Sequence, residues 1–172
     1  MISEQRPAIR KRRLEGPGAP ANSIGTTTLN EIDLAAHAMI HFSSEDPEHP
    51  IEHALDGSSG RGASRWLSAH RDTTEQIVLE FDEPRDVSRI EFQGAEAQLE
   101  RTQEVRAEYS RDGGRTYRQV FVQEYTFSPN GSTYQCESLN VQLSGVTHLR
   151  FNVMPNKGGS GKASLTLLRL YS

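Results

Sequence analysis

Histidines and acids are the residues in this chain best able to do chemistry. His37 and His41 are four residues apart, as are His49 and His53. On a helix each pair would share a face and could grip zinc. Neither pair carries the glutamate of an H-E-x-x-H helix, and Pro50 interrupts the second. Surface or capping histidines are the better expectation. Gly158-Gly159-Ser160-Gly161-Lys162 invites comparison with a phosphate-cradling loop. It departs in three ways: Asn156 stands at the first glycine, Ala163 replaces the Ser/Thr, and a strand pattern follows. A strand-to-strand turn is expected instead. No serine sits in a G-x-S-x-G elbow. The acidic pairs Glu45/Asp46 and Asp82/Glu83 read as solvated turn acids. Asn130-Gly131-Ser132 is a glycosylation sequon that doubles as a hairpin turn. Cys136 lies in a strand-like run and reads as a small core residue, not a nucleophile. No catalytic set converges, so an enzyme is not expected.

The elements that must position these residues are strands. Ile77, Leu79 and Phe81 alternate onto one face, as do Ile90 and Phe92 in the run Val87–Phe92. Val105, Ala107 and Tyr109 alternate before Arg111-Asp112-Gly113-Gly114, a hairpin turn. Tyr117–Phe127 is the longest strand candidate, turned by Ser128-Pro129-Asn130-Gly131. Leu139–Leu143, Leu149–Val153 and Leu165–Tyr171 complete the series. Short strands with turns about every ten residues imply an all-β antiparallel sandwich or jelly roll. Helix is confined to a turn or two within Glu31–Ile40 and another within Pro50–Leu55, with Pro50 at its first position.

The 172 residues suit one domain. Apolar residues make up 34%, and no run approaches the roughly 18–20 needed for a spanning helix. The start carries charge with no apolar stretch behind it, and the single cysteine excludes an internal disulfide. An intracellular, cytoplasmic protein is the expectation. Net charge is -4, unevenly divided: residues 1–13 carry +4 and the rest -8. Residues 1–25, with Gly16, Pro17, Gly18 and Pro20, read as a disordered tail ahead of a domain over 26–172. Nucleic acid is not an expected partner except through Arg10, Lys11, Arg12 and Arg13; a solvated basic tail is the plainer reading.

Taken in order, several short motifs are similar to those of the discoidin, or coagulation factor V/VIII type C, domain, a galactose-binding-like jelly roll. They begin with Leu34-Ala35-Ala36 and Ser43-Ser44-Glu45. Next come Ala54-Leu55-Asp56-Gly57 with Ser64-Arg65-Trp66-Leu67-Ser68, and then Gln76–Phe81 and Phe92-Gln93-Gly94. Tyr109–Tyr117 matches the Y-S-x-D-G piece, so the resemblance runs from about Leu34 to Ser172. Ile77 stands where the family usually has tryptophan. The resemblance implies a non-catalytic binding module, carbohydrate first, with ligand docked on loops at one end of the barrel. On these loops the candidates are Glu45, His49, His70, Arg71, Asp72, Glu96, Asn156 and Lys157. His70-Arg71-Asp72 supplies fork-like polar groups, but the loops lack an exposed aromatic platform, Trp66 being assigned to the core. The alternative is an intracellular scaffold domain that binds a protein ligand. The resemblance also implies a structural calcium held by Asp56 and an acid in the last strand, where Leu167 stands instead. No cofactor is therefore expected.

Overall fold

A computed structural model describes residues 8–14 and 30–172. Nine strands account for most of them: β1 (Arg10–Arg13), β2 (Ala38–Phe42), β3 (Trp66–Arg71), β4 (Glu75–Ala95), β5 (Arg101–Ser110), β6 (Arg118–Phe127), β7 (Tyr134–Gly159), β8 (Lys162–Leu165) and β9 (Leu167–Tyr171). Helix is limited to α1 (Leu34–His37) and one 3-10 turn, Ile51–Ala54, entered from Pro50. No helix among the described residues is long and apolar enough to cross a membrane.

The expected jelly-roll sandwich is what forms. One sheet runs β1-β2-β4-β7-β5-β6, with β9 also pairing to β4, and β3 with β8 make a second, small sheet. The predicted alternation holds: Ile77, Leu79, Ile90, Leu149, Phe151 and Val153 are fully buried, and so is Trp66, whose Nε1 donates to Ser44 O at 3.1 Å. Together they belong to a single apolar core.

Three boundaries differ from expectation. The runs 76–81 and 87–92 are halves of one strand, β4, and the runs 139–143 and 149–153 are halves of β7. Pro84 and Gly145 are why the pattern reads as broken. The β4–β7 register shifts between Glu80 and Arg89, and opposite this bend Gly145 takes φ +63 and donates its N–H to Asp86. Conversely, the single run 165–171 is two strands. Thr166 donates to Gln93 O, and the chain crosses there from the small sheet to the large one.

Two further expectations are corrected. Cys136 is exposed on β7, not in the core, because the alternation there turns it outward. The basic stretch is not disordered where it is described: Arg10–Arg13 pairs in parallel with Met39–Phe42, at the edge of the sheet. Composition underestimated this order because the stabilising partners, Ser43, Glu45, Glu52 and Asp82, lie far away in sequence. The rest of the 1–25 tail expectation falls on residues 1–7 and 15–25, outside the described residues.

Beneath the loops at one end lies Arg101, 1% exposed. Its Nη1 donates to Gln103 Oε1 at 2.8 Å and to Pro155 O at 3.3 Å, and its Nη2 donates to Ser164 Oγ at 2.8 Å. Phe127 lies under it, 5.2 Å to the ring centroid, and Gly161 packs on its side chain so closely that a Cβ would come within 2.7 Å. This one guanidinium ties β5, β7 and β8 together. Arg101→Met should cost about 3 kcal/mol in chemical denaturation, because it strands buried polar partners. Arg101→Lys should recover less than half, since one ammonium cannot reach all three acceptors.

Candidate functional site

The polar end of the barrel is built where β3 stops. β3 carries His70 and Arg71 outward, and Asp72 then turns the chain with φ +55, an uncommon conformation for a residue with a side chain. That turn is cross-tied to the loop between β7 and β8. Asp72 accepts from Ser160 Oγ at 2.8 Å and from Gly161 N at 2.8 Å, while its own N–H donates to Gly161 O at 2.8 Å. Asn156 Nδ2 reaches Asp72 O at 3.5 Å, and Arg71 Nη2 reaches Ser160 Oγ at 3.5 Å. The hydrogen bonds from Gly161 and Ser160 hold the Asp72 carboxyl below the usual carboxylate range.

Buried Glu75 forms the floor. It accepts from Ser43 Oγ, and its Oε1 lies 3.3 Å from Nδ1 of His70, whose own side chain is 60% exposed. On the adjoining side, Lys162 Nζ sits on Asp46 Oδ2 at 2.6 Å, joining the Glu45–His49 loop to the start of β8. Hydrogen bonding from Lys162, then from the Glu48 backbone, brings the Asp46 carboxyl down to about 2.

The structure therefore brings His70, Arg71, Asp72 and Asn156 together. Glu45 and His49 stand on the adjoining loop but face other partners. Glu45 accepts from the Ile51 N–H and pairs with Lys11, and His49 Nδ1 is 3.4 Å from Asp46. Glu96 caps its own turn through Gln98 N and Leu99 N, and lies 3.6 Å from Arg101. Lys157 turns onto Glu104 and Glu124. Sequence reasoning missed Glu75 and did not single out Ser43, Ser160 or Lys162 within the motifs that contain them. Glu75 has no motif, and only its burial marks it out; Ser160 and Lys162 belong to the glycine-rich stretch, which forms the expected turn between strands.

Neither histidine pair forms a zinc site. His37 ends α1 while His41, in β2, places Nε2 2.6 Å from Glu80. His49 and His53 meet edge to face with ring centroids 6.4 Å apart, and His53 Nδ1 faces Arg65 O. Among the described residues, Asp46, Glu48 and His49 bring potential ligand atoms within 4.8 Å of one another, but Lys162 already neutralises Asp46.

Calcium does not fit the residues present at Asp56. Its carboxylate accepts from Ser58 N at 2.8 Å and from Ser64 Oγ at 2.5 Å, and Leu167 is fully buried and offers no carboxylate. The Gly57 carbonyl is taken by Arg169 Nη2 at 2.9 Å. Calcium needs six to eight oxygens, and here a guanidinium and two serines occupy the loop. Burial pushes the Asp56 carboxyl up, but the hydrogen bonds from Ser64 and Ser58 outweigh it and hold it below the usual range.

The F5/8 type C domain model matches residues 39–166. The chain belongs to the F5/8 type C domain family. No curated protein sequence matches it. Among solved structures, this F5/8 type C domain is similar to the family 32 CBM of Clostridium perfringens NanJ, solved with galactose. Identity is 16%, covering 83% of this chain and 98% of that one, with a TM-score of 0.58. It is also similar to CpGH89CBM32-5 of Clostridium perfringens, solved with GalNAc-β-1,3-galactose, at 17% identity, 83% and 100% coverage and a TM-score of 0.60. Chitosan-binding module 1 from a Paenibacillus chitosanase/glucanase gives 20%, 82% and 99%, and 0.56. These likenesses support the fold.

Two outcomes follow from the geometry. Melting temperature should be the same in EDTA and in millimolar calcium; a rise of several degrees with calcium would contradict the reading of the Asp56 loop. An NMR titration should place the Asp46 carboxyl near 2, and Lys162→Met should move it back towards 3.8. Because the folded value lies below the unfolded one, the Asp46 contribution is present above about pH 4 and is lost as pH falls towards 2.

Proposed function

We propose that this F5/8 type C domain is a non-catalytic carbohydrate-binding module whose ligand docks on the end of β3 at His70–Asp72 and on the end of β7 with its following turn, Asn156–Gly161. The observation that carries the reading is the outward-facing His70–Arg71 pair, set on a turn whose Asp72 is already bound to Ser160 and Gly161. A sugar offers vicinal hydroxyls that both donate and accept. Arg71 presents a planar fork of donors, and His70, whose Nδ1 faces Glu75, presents its Nε2 as an acceptor when neutral. Asp72 spends its oxygens within the protein, so its part is to position its neighbours and not to touch ligand. Because that turn is ordered before ligand arrives, little ordering remains to be done on binding. Neighbours of the same fold were solved with galactose and GalNAc-β-1,3-galactose, which agrees with this choice of ligand class.

The Glu45–His49, His70–Asp72, Gly94–Glu100 and Asn156–Lys162 segments contain no Phe, Tyr or Trp. With no ring to stack on a sugar face, recognition rests on hydrogen bonds that compete with water, so millimolar affinity is expected. Calorimetric titration with neutral mono- and disaccharides should show such binding. Arg71→Ala should weaken it about tenfold, equivalent to roughly 1.4 kcal/mol, with melting temperature unchanged; His70→Ala should act in the same direction. Absence of binding to every saccharide at millimolar concentrations, or an Arg71→Ala chain that binds like wild type, would overturn the proposal.

A further inference from the structure

The family model begins at residue 39, so β1 lies outside the matched domain. It is nevertheless built into the sheet. Arg10, Lys11, Arg12 and Arg13 align in parallel with Met39, Ile40, His41 and Phe42, and the Leu14 N–H continues the pairing to Phe42 O at 2.8 Å. Ile9 packs against the core, so the segment is anchored by an apolar residue as well as by backbone.

Side chains add a charge code. Arg10 Nη2 lies 2.6 Å from Asp82, and Lys11 Nζ lies 2.9 Å from both Glu45 and Glu52. Lys11 also sits 5.5 Å from the Phe42 ring centroid, and Arg13 Nε donates to Ser43 O at 3.3 Å. Three acids from separate segments, the Ser43–Pro50 loop, the 3-10 turn and the β4 bend, thus converge on one sheet edge. Their spacing matches cations on a strand.

We propose that the outer edge of β2, flanked by Glu45, Glu52 and Asp82, is a strand-addition site for an extended basic peptide, occupied in cis by this chain's own Ala8–Leu14. Strand addition draws affinity from main-chain hydrogen bonds and selectivity from the side chains alongside. Here the selectivity is for alternate and adjacent cations with an apolar residue ahead of them, the order Ile9-Arg10-Lys11. The occupant also reaches the polar end of the barrel. Lys11 holds Glu45, which accepts the Ile51 N–H, and Arg13 binds the carbonyl of Ser43, whose hydroxyl donates to Glu75. Occupancy of the edge therefore organises the Ser43–Pro50 loop whether or not that end binds sugar.

The test uses the full chain with the arm reversed in charge (Arg10→Glu, Lys11→Glu, Arg13→Glu), which sets like charges against Asp82, Glu45 and Glu52. A fluorescent peptide of residues 8–14 added in trans should bind this variant with saturation below about 1 mM. It should bind wild type at least tenfold more weakly, because the tethered arm competes at millimolar effective concentration. Adding Glu45→Lys and Glu52→Lys to the variant should lower peptide affinity about tenfold or more. A seven-residue peptide of the same composition in scrambled order should bind more weakly than the native order. Equal binding to wild type and variant, or no binding to a variant whose circular dichroism matches wild type, would overturn the proposal. A second readout covers a variant that fails to fold. In wild type, brief trypsin treatment should spare the bonds after Arg10–Arg13 at low salt and cut them in 1 M salt, where the ion pairs are screened. Immediate cutting at low salt would overturn it equally.

Discussion

Every strand of the main sheet is placed by the antiparallel pairing of β4 with β7. Glu75 lies opposite Val153 and Ala95 opposite Tyr134, so the two strands stay paired from one end of the barrel to the other. Both bend at their middles, through Pro84 and Gly145. Because the bend redirects the free edges, the first half of β4 accepts β2 and the second half accepts β9. The second half of β7 accepts β5. A one-residue slip in this ladder would turn Ile77, Leu79, Leu149 and Phe151 out of the core together. The register is thus enforced by burial along its whole length, and the ends of these strands fix where the loops emerge.

From that frame the polar end inherits its precision. The loops there contain few apolar groups, so hydrogen bonds do the ordering. Asp72 fastens the β3 turn to Ser160 and Gly161, Lys162 fastens Asp46, and Arg101 fills the space beneath. Close backbone approach is part of the same construction: a Cβ at Gly159 would meet Glu100 O at 2.2 Å, and Gly159 has φ +86. The glycines that resemble a phosphate loop are there for this steric reason. At the Asp56 loop, Arg169, the Ser58 N–H and the Ser64 hydroxyl take up the oxygens that an ion would need.

How much of this could be read in the sequence depended on range. Alternation of apolar residues exposed the strands because burial on one face acts every second residue, and the ordered motifs from Ser43 to Tyr117 revealed the family. His70, Arg71 and Asp72 were visible as polar forks, although His70 and Arg71 end β3 and Asp72 alone makes the turn. Continuity through Pro84 was not, because a proline ordinarily ends a strand and only the bend and register shift opposite Gly145 accommodate it. Cys136 was misplaced because residue type suggests burial while the local alternation, with Leu139 half-buried, sets it outside. Glu96 and Lys157 were read as loop residues, but Lys157 lies in β7 and both charges are satisfied by Gln98, Leu99, Glu104 and Glu124. Loop membership is local information; orientation is not.

The basic arm shows the same distinction on a larger scale. Taken as sums, +4 for residues 1–13 and -8 for the remainder suggest two bodies with separate partners. In space the two signs meet within the molecule, Arg10 and Lys11 lying against Asp82, Glu45 and Glu52. No single contact there is strong. Exposed ion pairs are each worth about 0–1 kcal/mol, and salt weakens them further. What holds β1 is the sum of these ion pairs with backbone pairing to β2, the packing of Ile9 and covalent attachment, which spares the entropy of bringing in a separate peptide. These contacts are many and individually weak, and they lie at a sheet edge, with Ile9 the segment's link to the core.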